Sequence, residues 1–478
     1  MLFNSLNFAI FLPIVFAFYW LTLRGNLKFQ NILLLISSYF FYSCWDWRFL
    51  FLLIFSTLLD YFTGIKMSNA KNQNSKKFWF WLSVCINLSF LGVFKYYNFF
   101  AESFASALNN VGLNVNPWIL KVILPVGISF YTFHGLSYVI DIYKNRIKAE
   151  KNFIDYSLFV SFFPLLVAGP IERATHLLPQ IKKRRTFDYA KLVDGLRQIL
   201  WGLFKKIVIA DQCAEHANVV FNNYGDYSSL GLLAGSVFFS IQIYCDFSGY
   251  SDIAIGTARL FGFDLLRNFA FPYFSRNISE FWRRWHISLS SWFKDYLYIP
   301  LGGSNVGMWM KVRNTLIIFL VSGFWHGANW TFIIWGFLNA LYIMPSIIFN
   351  TNRKNLEIVA QGKILPTLKE FFSIVTTFFL AVFAWIFFRA ENLYHAVHFI
   401  SRLVSFRSFT TDLKVRGDLI VLILFFAVVE WLGREEQFAL AKFGLTWKRP
   451  LRYTLYLVLI ITLFWFGGKE QQFIYFEF

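Results

Sequence analysis

Apolar runs of about twenty residues recur along this 478-residue chain, each long enough to cross ~30 Å of hydrocarbon. In lipid every backbone polar group must be satisfied within the chain, which leaves helices and closed barrels as spanning structures. No set of short segments alternates at period two, as a barrel requires. The expected fold is therefore all-α, a polytopic helical membrane protein read as one domain over 1–478. At 57% apolar and 22% aromatic, against 15% charged, composition agrees.

The net charge of +18 lies in short Lys/Arg clusters between apolar runs, the pattern of cytoplasmic loops. No separate basic domain is present to bind nucleic acid. Candidate spans at 6–23, 29–44, 49–65 and 78–94 are separated by Arg24 and Lys28, then by Asp46 and Arg48, which cancel, then by Lys66, Lys71, Lys76 and Lys77. That alternation puts the N-terminus outside and the 66–77 loop inside. The run 6–23 contains Pro13 and lacks a basic n-region or a small-residue cleavage site, so it reads as a first span rather than a cleaved leader. Residues 101–118 fall on the outer face, and a span at 122–143 returns to the basic loop 144–151.

Parity then breaks. If 153–168 crossed fully, Lys182, Lys183, Arg184 and Arg185 would face outward. A segment that enters and returns near Gly169-Pro170 resolves this, and it implies a cavity open to the cytoplasm, because irregular backbone at that depth needs protein or water around it. The helix at 189–211 carries Arg197, Lys205 and Lys206 and reads equally as interfacial or spanning. Later candidates are 230–244, 316–325 running on into 330–349, 371–388, 419–431 and 453–466. Together these make roughly ten to thirteen helices that cross or enter the bilayer. The four cysteines lack paired spacing, so neither a disulfide framework nor a metal site is expected.

Chemistry is sought where ionisable groups sit at membrane depth. His326 lies in VSGFWHGANWTF, in an apolar stretch that begins after Arg313, roughly 20 Å along the helix at 1.5 Å per residue. Gly323 and Gly327 bracket it and admit a backbone or a slender ligand. Asn329, three residues on, is placed to orient the ring on the same helical face. An imidazole there suits general base catalysis: it takes a proton from a hydroxyl at neutral pH and later returns it. A hydroxyl so activated can attack a thioester carbonyl, although the spacing does not name that substrate.

His286 lies in SEFWRRWHISLSSWFKDY, with Glu280 and Arg284 four residues apart as a helix-stabilising pair. Arg283, Arg284 and Lys294 at a cavity mouth would hold the phosphates of a nucleotide-bearing donor. An interfacial helix with Trp282, Trp285 and Trp292 at headgroup level explains the same residues equally well. Asp246 and Asp252 read either as a proton or ion path or as local hydrogen bonding to Ser248, Ser251 or the backbone amides of a helix broken at Gly249; the second is favoured. Asp141 and His134 are similar cases. His176, His216, His395 and His398 lie in polar or boundary segments and carry no assignment.

At these motifs the chain resembles the membrane-bound O-acyltransferases. The pieces are LPVGISFYTFHGLSYVIDIY (124–143), FFPLLVAGPIERA (162–174), YCDFSGYSDIAIG (244–256), FWRRWHISLSSWFKDYLYIPLGG (281–303) and GFWHGANWTFIIWG (323–336). The resemblance is to the bacterial branch that O-acetylates exported polysaccharides, and the terminal GGKEQQFIYFEF is similar to that branch's aromatic tail, with Glu477 where Gln would be expected. It implies a helical bundle with re-entrant segments and a cytoplasmic funnel in the inner (cytoplasmic) membrane. It implies that His326 is the catalytic histidine, that His286 is a second, branch-typical one, and that acetyl-CoA or another acetyl thioester is the donor substrate with no permanently bound cofactor. It also implies a separate periplasmic or extracellular partner of the serine-hydrolase-like SGNH type, which completes transfer to the polysaccharide. Two other readings are a D-alanyl carrier-protein thioester as donor for a cell-wall polymer, and a proton-coupled transporter using Asp246, Asp252 and His326. Transporters of this size commonly show paired halves with matching broken helices, and no such repeat is visible.

Overall fold

The computed structural model describes residues 1–22, 25–121, 123–167, 169–405, 413–468, 471, 473 and 474. Leu23, Arg24, Val122, Ala168 and Glu477 of the sequence reading lie outside the described residues. Those residues form helices and connecting segments with no strand among them, and the chain divides into two compact units, 1–191 with 258–266, and 192–257 with 267–478.

The first unit begins with α1 (Leu6–Ala17) and a π-helical turn, then α2 (Leu27–Ser43), α3 (Trp47–Ser68), α4 (Gln73–Leu91), α5 (Tyr97–Asn110) and α6 (Ile128–Tyr143). Polar side chains start most of them: Asn26, Asp46 and Asn72 each accept a first-turn N–H. A π-helical turn joins α4 to α5, so the fourth apolar run does not stop at 94 but continues as one helical stretch, Gln73–Asn110. Likewise α6 starts at Ile128, not at 122. Gly127 before it is left-handed (φ +73), and a Cβ there would strike the Leu166 carbonyl oxygen. Helices α3, α4 and α6 close around the buried Asp60, which accepts hydrogen bonds from Ser83 Oγ (2.5 Å) and Asn87 Nδ2 (2.8 Å).

The segment that broke the charge parity is itself broken. Helices α7 (Phe153–Ser161) and α8 (Phe163–Leu166) are interrupted at Phe162, and the nine residues of α7 rise only ~14 Å. That is the form expected of a segment that enters without crossing. Beyond it, before α9 (Ala174–Lys182), Glu172 ties the unit together. Its N–H donates to His134 Nε2 (3.1 Å), Oε1 accepts from the Leu266 N–H (2.6 Å), and Oε2 pairs with His176 Nδ1 (2.7 Å).

That carboxylate raises the His176 pKa above its ordinary value. The pair's contribution to stability is therefore full below ~6.5 and is lost as pH rises through the raised folded value. The thermal midpoint of His176→Asn is expected to fall furthest below wild type near about pH 5.5 and to converge on it above about pH 8. A gap that widens with pH would contradict the pairing. Because His176 is half-buried, the effect is modest.

The second unit holds most of α10 (Tyr189–Leu203), which passes through a π-helical stretch (Phe204–Ala210) into α11 (Asp211–Asn222). Next comes α12 (Ser229–Leu260), unbroken through 244–256. The expected break at Gly249 is absent because that glycine serves packing. A Cβ on Gly249 would lie 2.8 Å from the Gly202 carbonyl oxygen, and one on Gly256 would lie 2.6 Å from that of Gly195. Small residues thus bring α10 and α12 into backbone contact, as in other membrane helix pairs. Two seven-residue helices follow, α13 (Ile278–Arg284) and α14 (Ile287–Phe293). The chain continues through α15 (Met308–His326), α16 (Trp330–Ile348), α17 (Leu368–Arg389), α18 (Leu393–Val404), α19 (Gly417–Leu432) and α20 (Arg449–Phe466).

Six described stretches are long and apolar enough to span: Trp47–Ser68, Gln73–Asn110, Ser229–Leu260, Trp330–Ile348, Leu368–Arg389 and Arg449–Phe466. The chain is a multi-pass membrane protein. The larger sequence count included shorter or more charged helices such as α2, α6 and α15.

Candidate active site

His286 and His326, forty residues apart in sequence, meet inside the second unit with ring centroids 6.3 Å apart. Both are buried, at 1% and 3% exposure. Different local devices bring each one there.

His286 stands at the junction of α13 and α14 in a left-handed conformation, φ +43, which a residue with a Cβ adopts at a cost. The surroundings impose it. Asn277 caps α13 by accepting the Glu280 N–H (2.8 Å). Glu280 holds Arg284 at 2.7 Å and Arg276 at 3.1 Å, so the expected pairing with Arg284 is present, although the helix ends there. Asn268 then clamps the far side of the histidine. Its carbonyl accepts the Ile287 N–H (2.8 Å), its Oδ1 accepts Ser288 Oγ–H (3.0 Å), and its Nδ2 donates to Ser251 Oγ on α12 (3.0 Å).

His326 is the last residue of α15. Gly327 turns to extended backbone (φ −161) and ends the helix, and a Cβ on it would collide with the Phe332 ring. Asn329 is therefore not on the same helical face as His326. It caps α16, its Oδ1 accepting the Thr331 N–H (3.1 Å) and its Nδ2 donating to the Glu391 carbonyl (2.7 Å). Gly323 does admit a close backbone: a Cβ on it, or on Gly336 opposite, would lie 2.3 Å from a carbonyl oxygen of the partner helix. Gly336→Ala is expected to force α15 and α16 apart and lower stability by ~1–3 kcal/mol, read as a lower thermal midpoint. An unchanged midpoint would mean the hairpin is looser than this.

Aromatic rings enclose the two imidazoles. His326 packs edge-to-face on Trp325 (4.9 Å), Trp335 (5.1 Å) and Phe388 (5.4 Å). His286 packs on Phe247 (4.6 Å) and lies parallel to Phe269 at 6.3 Å. Neither nitrogen of His286 has a hydrogen-bond partner among the described residues. His286 lies outside the span-length helices, and burial without an acidic neighbour pushes its pKa down to about 3, so it is neutral at physiological pH with one N–H and one lone pair to offer. No three His, Cys, Asp or Glu side chains gather into a metal-holding group among the described residues.

The cationic residues assigned to donor phosphates are not grouped that way. Arg283 holds the 352–355 loop through the carbonyls of Asn352 (2.7 Å) and Asn355 (2.9 Å), and Arg284 is engaged by Glu280. Lys294 is exposed beside Asp295. Guanidiniums already spent on backbone carbonyls and a carboxylate are poorly placed to take a phosphate as well.

A buried ionic cluster beside the site was missed in sequence. Lys205 pairs with Asp252 (2.6 Å) and Lys206 with both Asp211 and Asp246 (2.8 Å each). Gln198 donates to Asp252, and Ser248 Oγ accepts from Lys205. The acidic residues thus answer the lysines of the preceding segment, and both lysines are buried in protein there. The available signal was two apolar stretches carrying opposite charges at membrane depth, which require each other. The C-terminal segment joins in: the Ile474 N–H donates to Asp246 (2.9 Å), and Phe473 packs on Tyr250 at 4.3 Å.

Similarity to known proteins agrees with this architecture. The model of the family described as MBOAT, membrane-bound O-acyltransferase family, matches residues 144–388, which include both histidines. The protein named Probable alginate O-acetylase AlgI of Pseudomonas putida is 36% identical over all of both chains. The Peptidoglycan O-acetyltransferase of Helicobacter pylori is 37% identical over 85% of this chain and 80% of its own. The Teichoic acid D-alanyltransferase of Bacillus subtilis is 27% identical over 56% of this chain and 70% of its own. A family match over half the chain and relatives this similar over nearly its whole length place the protein in the membrane-bound O-acyltransferase family, as an acyltransferase.

Proposed function

We propose that the protein takes an acetyl group from a cytoplasmic thioester, acetyl-CoA being the simplest, and passes it across the cytoplasmic membrane for O-acetylation of an exported polysaccharide. His326 is the general base. The observation that carries this reading is the pair of buried imidazoles 6.3 Å apart in a box of aromatic walls. A buried base packed between rings in this way can accept a hydroxyl proton and return it to the departing sulfur. His286, neutral and without a partner for either nitrogen among the described residues, orients the acceptor without competing for the proton. The names of the Pseudomonas and Helicobacter relatives, an alginate O-acetylase and a peptidoglycan O-acetyltransferase, support acetyl as the group and a glycan as the acceptor class. A separate SGNH-type polypeptide outside the membrane completes delivery to the polymer, and the loop-charge pattern supports an outward N-terminus.

A cleft of about 730 Å³ between α13, α16 and α17, lined in part by Arg276, Ser279, Tyr342, Ser346 and Lys369, is within the usual size of a ligand pocket. The same three helices carry Trp282 and Trp385 against Trp335, which packs on His326, and this supports donor entry along them.

The test is transfer or hydrolysis of labelled acetyl-CoA by the protein in nanodiscs, with D-alanyl carrier-protein thioester in parallel. Turnover of acetyl-CoA that disappears in a folded His326→Ala variant is expected. Use of the D-alanyl donor alone would replace the acetyl reading, and an equally active variant would remove His326 from the mechanism.

A further inference from the structure

An acyl transfer builds negative charge on the carbonyl oxygen, and a protein speeds it most by holding hydrogen-bond donors where that charge appears. The walls around His326 are nearly all hydrocarbon, so few groups there can serve. Phe388 has no donor. Trp335 has one. It is 1% exposed, and its Nε1–H has no hydrogen-bond partner among the described residues. Its ring packs edge-to-face on His326 at 5.1 Å, stacks on Trp385 at 5.5 Å and meets Phe388 at 5.2 Å.

The ring is also rigidly held. Asn329 caps the start of its helix, and the next residue, Gly336, is pressed on the Phe319 carbonyl of α15. Leaving a buried donor unsatisfied costs free energy, and a group so placed beside a catalytic base calls for a functional explanation. A phenylalanine would fill much of the space without that cost.

We propose that the Trp335 Nε1–H donates to the carbonyl oxygen of the acyl thioester as the tetrahedral intermediate forms. This rests on the reading of His326 as base. His326 takes the proton of the acceptor hydroxyl while its oxygen bonds to the carbonyl carbon. The carbonyl π pair moves onto oxygen, against the indole N–H. When that pair returns, the C–S bond breaks, and the sulfur takes the proton from His326. No other reactant is needed.

The test replaces Trp335 with phenylalanine and, by amber suppression, with 3-benzothienylalanine, which keeps the bicyclic shape and exchanges N–H for sulfur. Both are compared with wild type and His326→Ala in nanodiscs. The expected result is a ~100-fold fall in kcat for both, with KM for the thioester within about two-fold and, for the benzothienyl protein, a thermal midpoint no lower than wild type. A benzothienyl variant that turns over within two-fold of wild type, or that changes KM alone, would make Trp335 a wall and overturn the proposal. If His326→Ala keeps its activity, the base assignment is what fails.

Discussion

His326→Ala is expected to lower acyl transfer by ~10²–10⁴-fold, the range supplied by a positioned general base. The ring is 3% exposed, and the proposed base has no substitute in the box, because burial makes the imidazole of His286 a far weaker base and the remaining walls are aromatic. The truncation also leaves a hole, and large-to-small changes in a packed core cost ~2–5 kcal/mol. A loss of rate must therefore be separated from a loss of fold. His326→Gln keeps most of the volume and a hydrogen-bonding end while removing the base. Both variants should elute as wild type does in size exclusion, and both should fail to consume thioester. Recovery of activity in the glutamine variant would show that shape, not proton transfer, is what His326 contributes.

The second large effect lies in stability. Lys206→Met takes from Asp211 and Asp246 the ammonium that holds each at 2.8 Å, on a side chain only 1% exposed. Removing one partner of a buried ion pair typically costs ~3–5 kcal/mol, because the remaining charge has neither water nor a counterion. Here two carboxylates remain. One of them, Asp246, also receives the Ile474 N–H, so the C-terminal segment should loosen with it. The expected result is a lower thermal midpoint together with earlier proteolysis at the C-terminus. Adding Asp246→Asn to Lys206→Met should recover part of the loss, as a double-mutant cycle would show. A single variant as stable as wild type would mean the lysine is not what neutralises these acids.

Much of this protein was legible in the order of its residues. Apolar runs of spanning length foretold the helices. The asparagine and aspartate caps before α2, α3 and α4 are local signals, and so is the interruption near 162–170, where charge parity and a Gly-Pro pair agreed. The burial of His326 was legible for a different reason: a titratable group inside an apolar run must be enclosed by protein in lipid.

What misled was reliance on one-dimensional spacing where a helix stops. Asn329 is three residues from His326, but Gly327 ends α15 between them, so the amide caps the next helix. Gly249 reads as a helix breaker when taken alone; against Gly202 it is a contact point that lets α12 run on unbroken. Arg283 and Arg284 look like phosphate ligands in a basic string, yet the carbonyls of the 352–355 loop and Glu280 claim them.

The sequence by itself determined the class of fold and singled out His326 as a candidate, because span length, charge placement and the cost of an ionisable group in lipid are local properties of the chain. Only the tertiary structure decided the rest. It brought His286 to 6.3 Å from His326, set Lys205 and Lys206 against Asp252, Asp211 and Asp246, and packed the Trp335 indole, whose N–H has no partner among the described residues, on the His326 ring. These are relations between segments distant along the chain, and they exist only once glycine contacts have fixed how closely the helices approach.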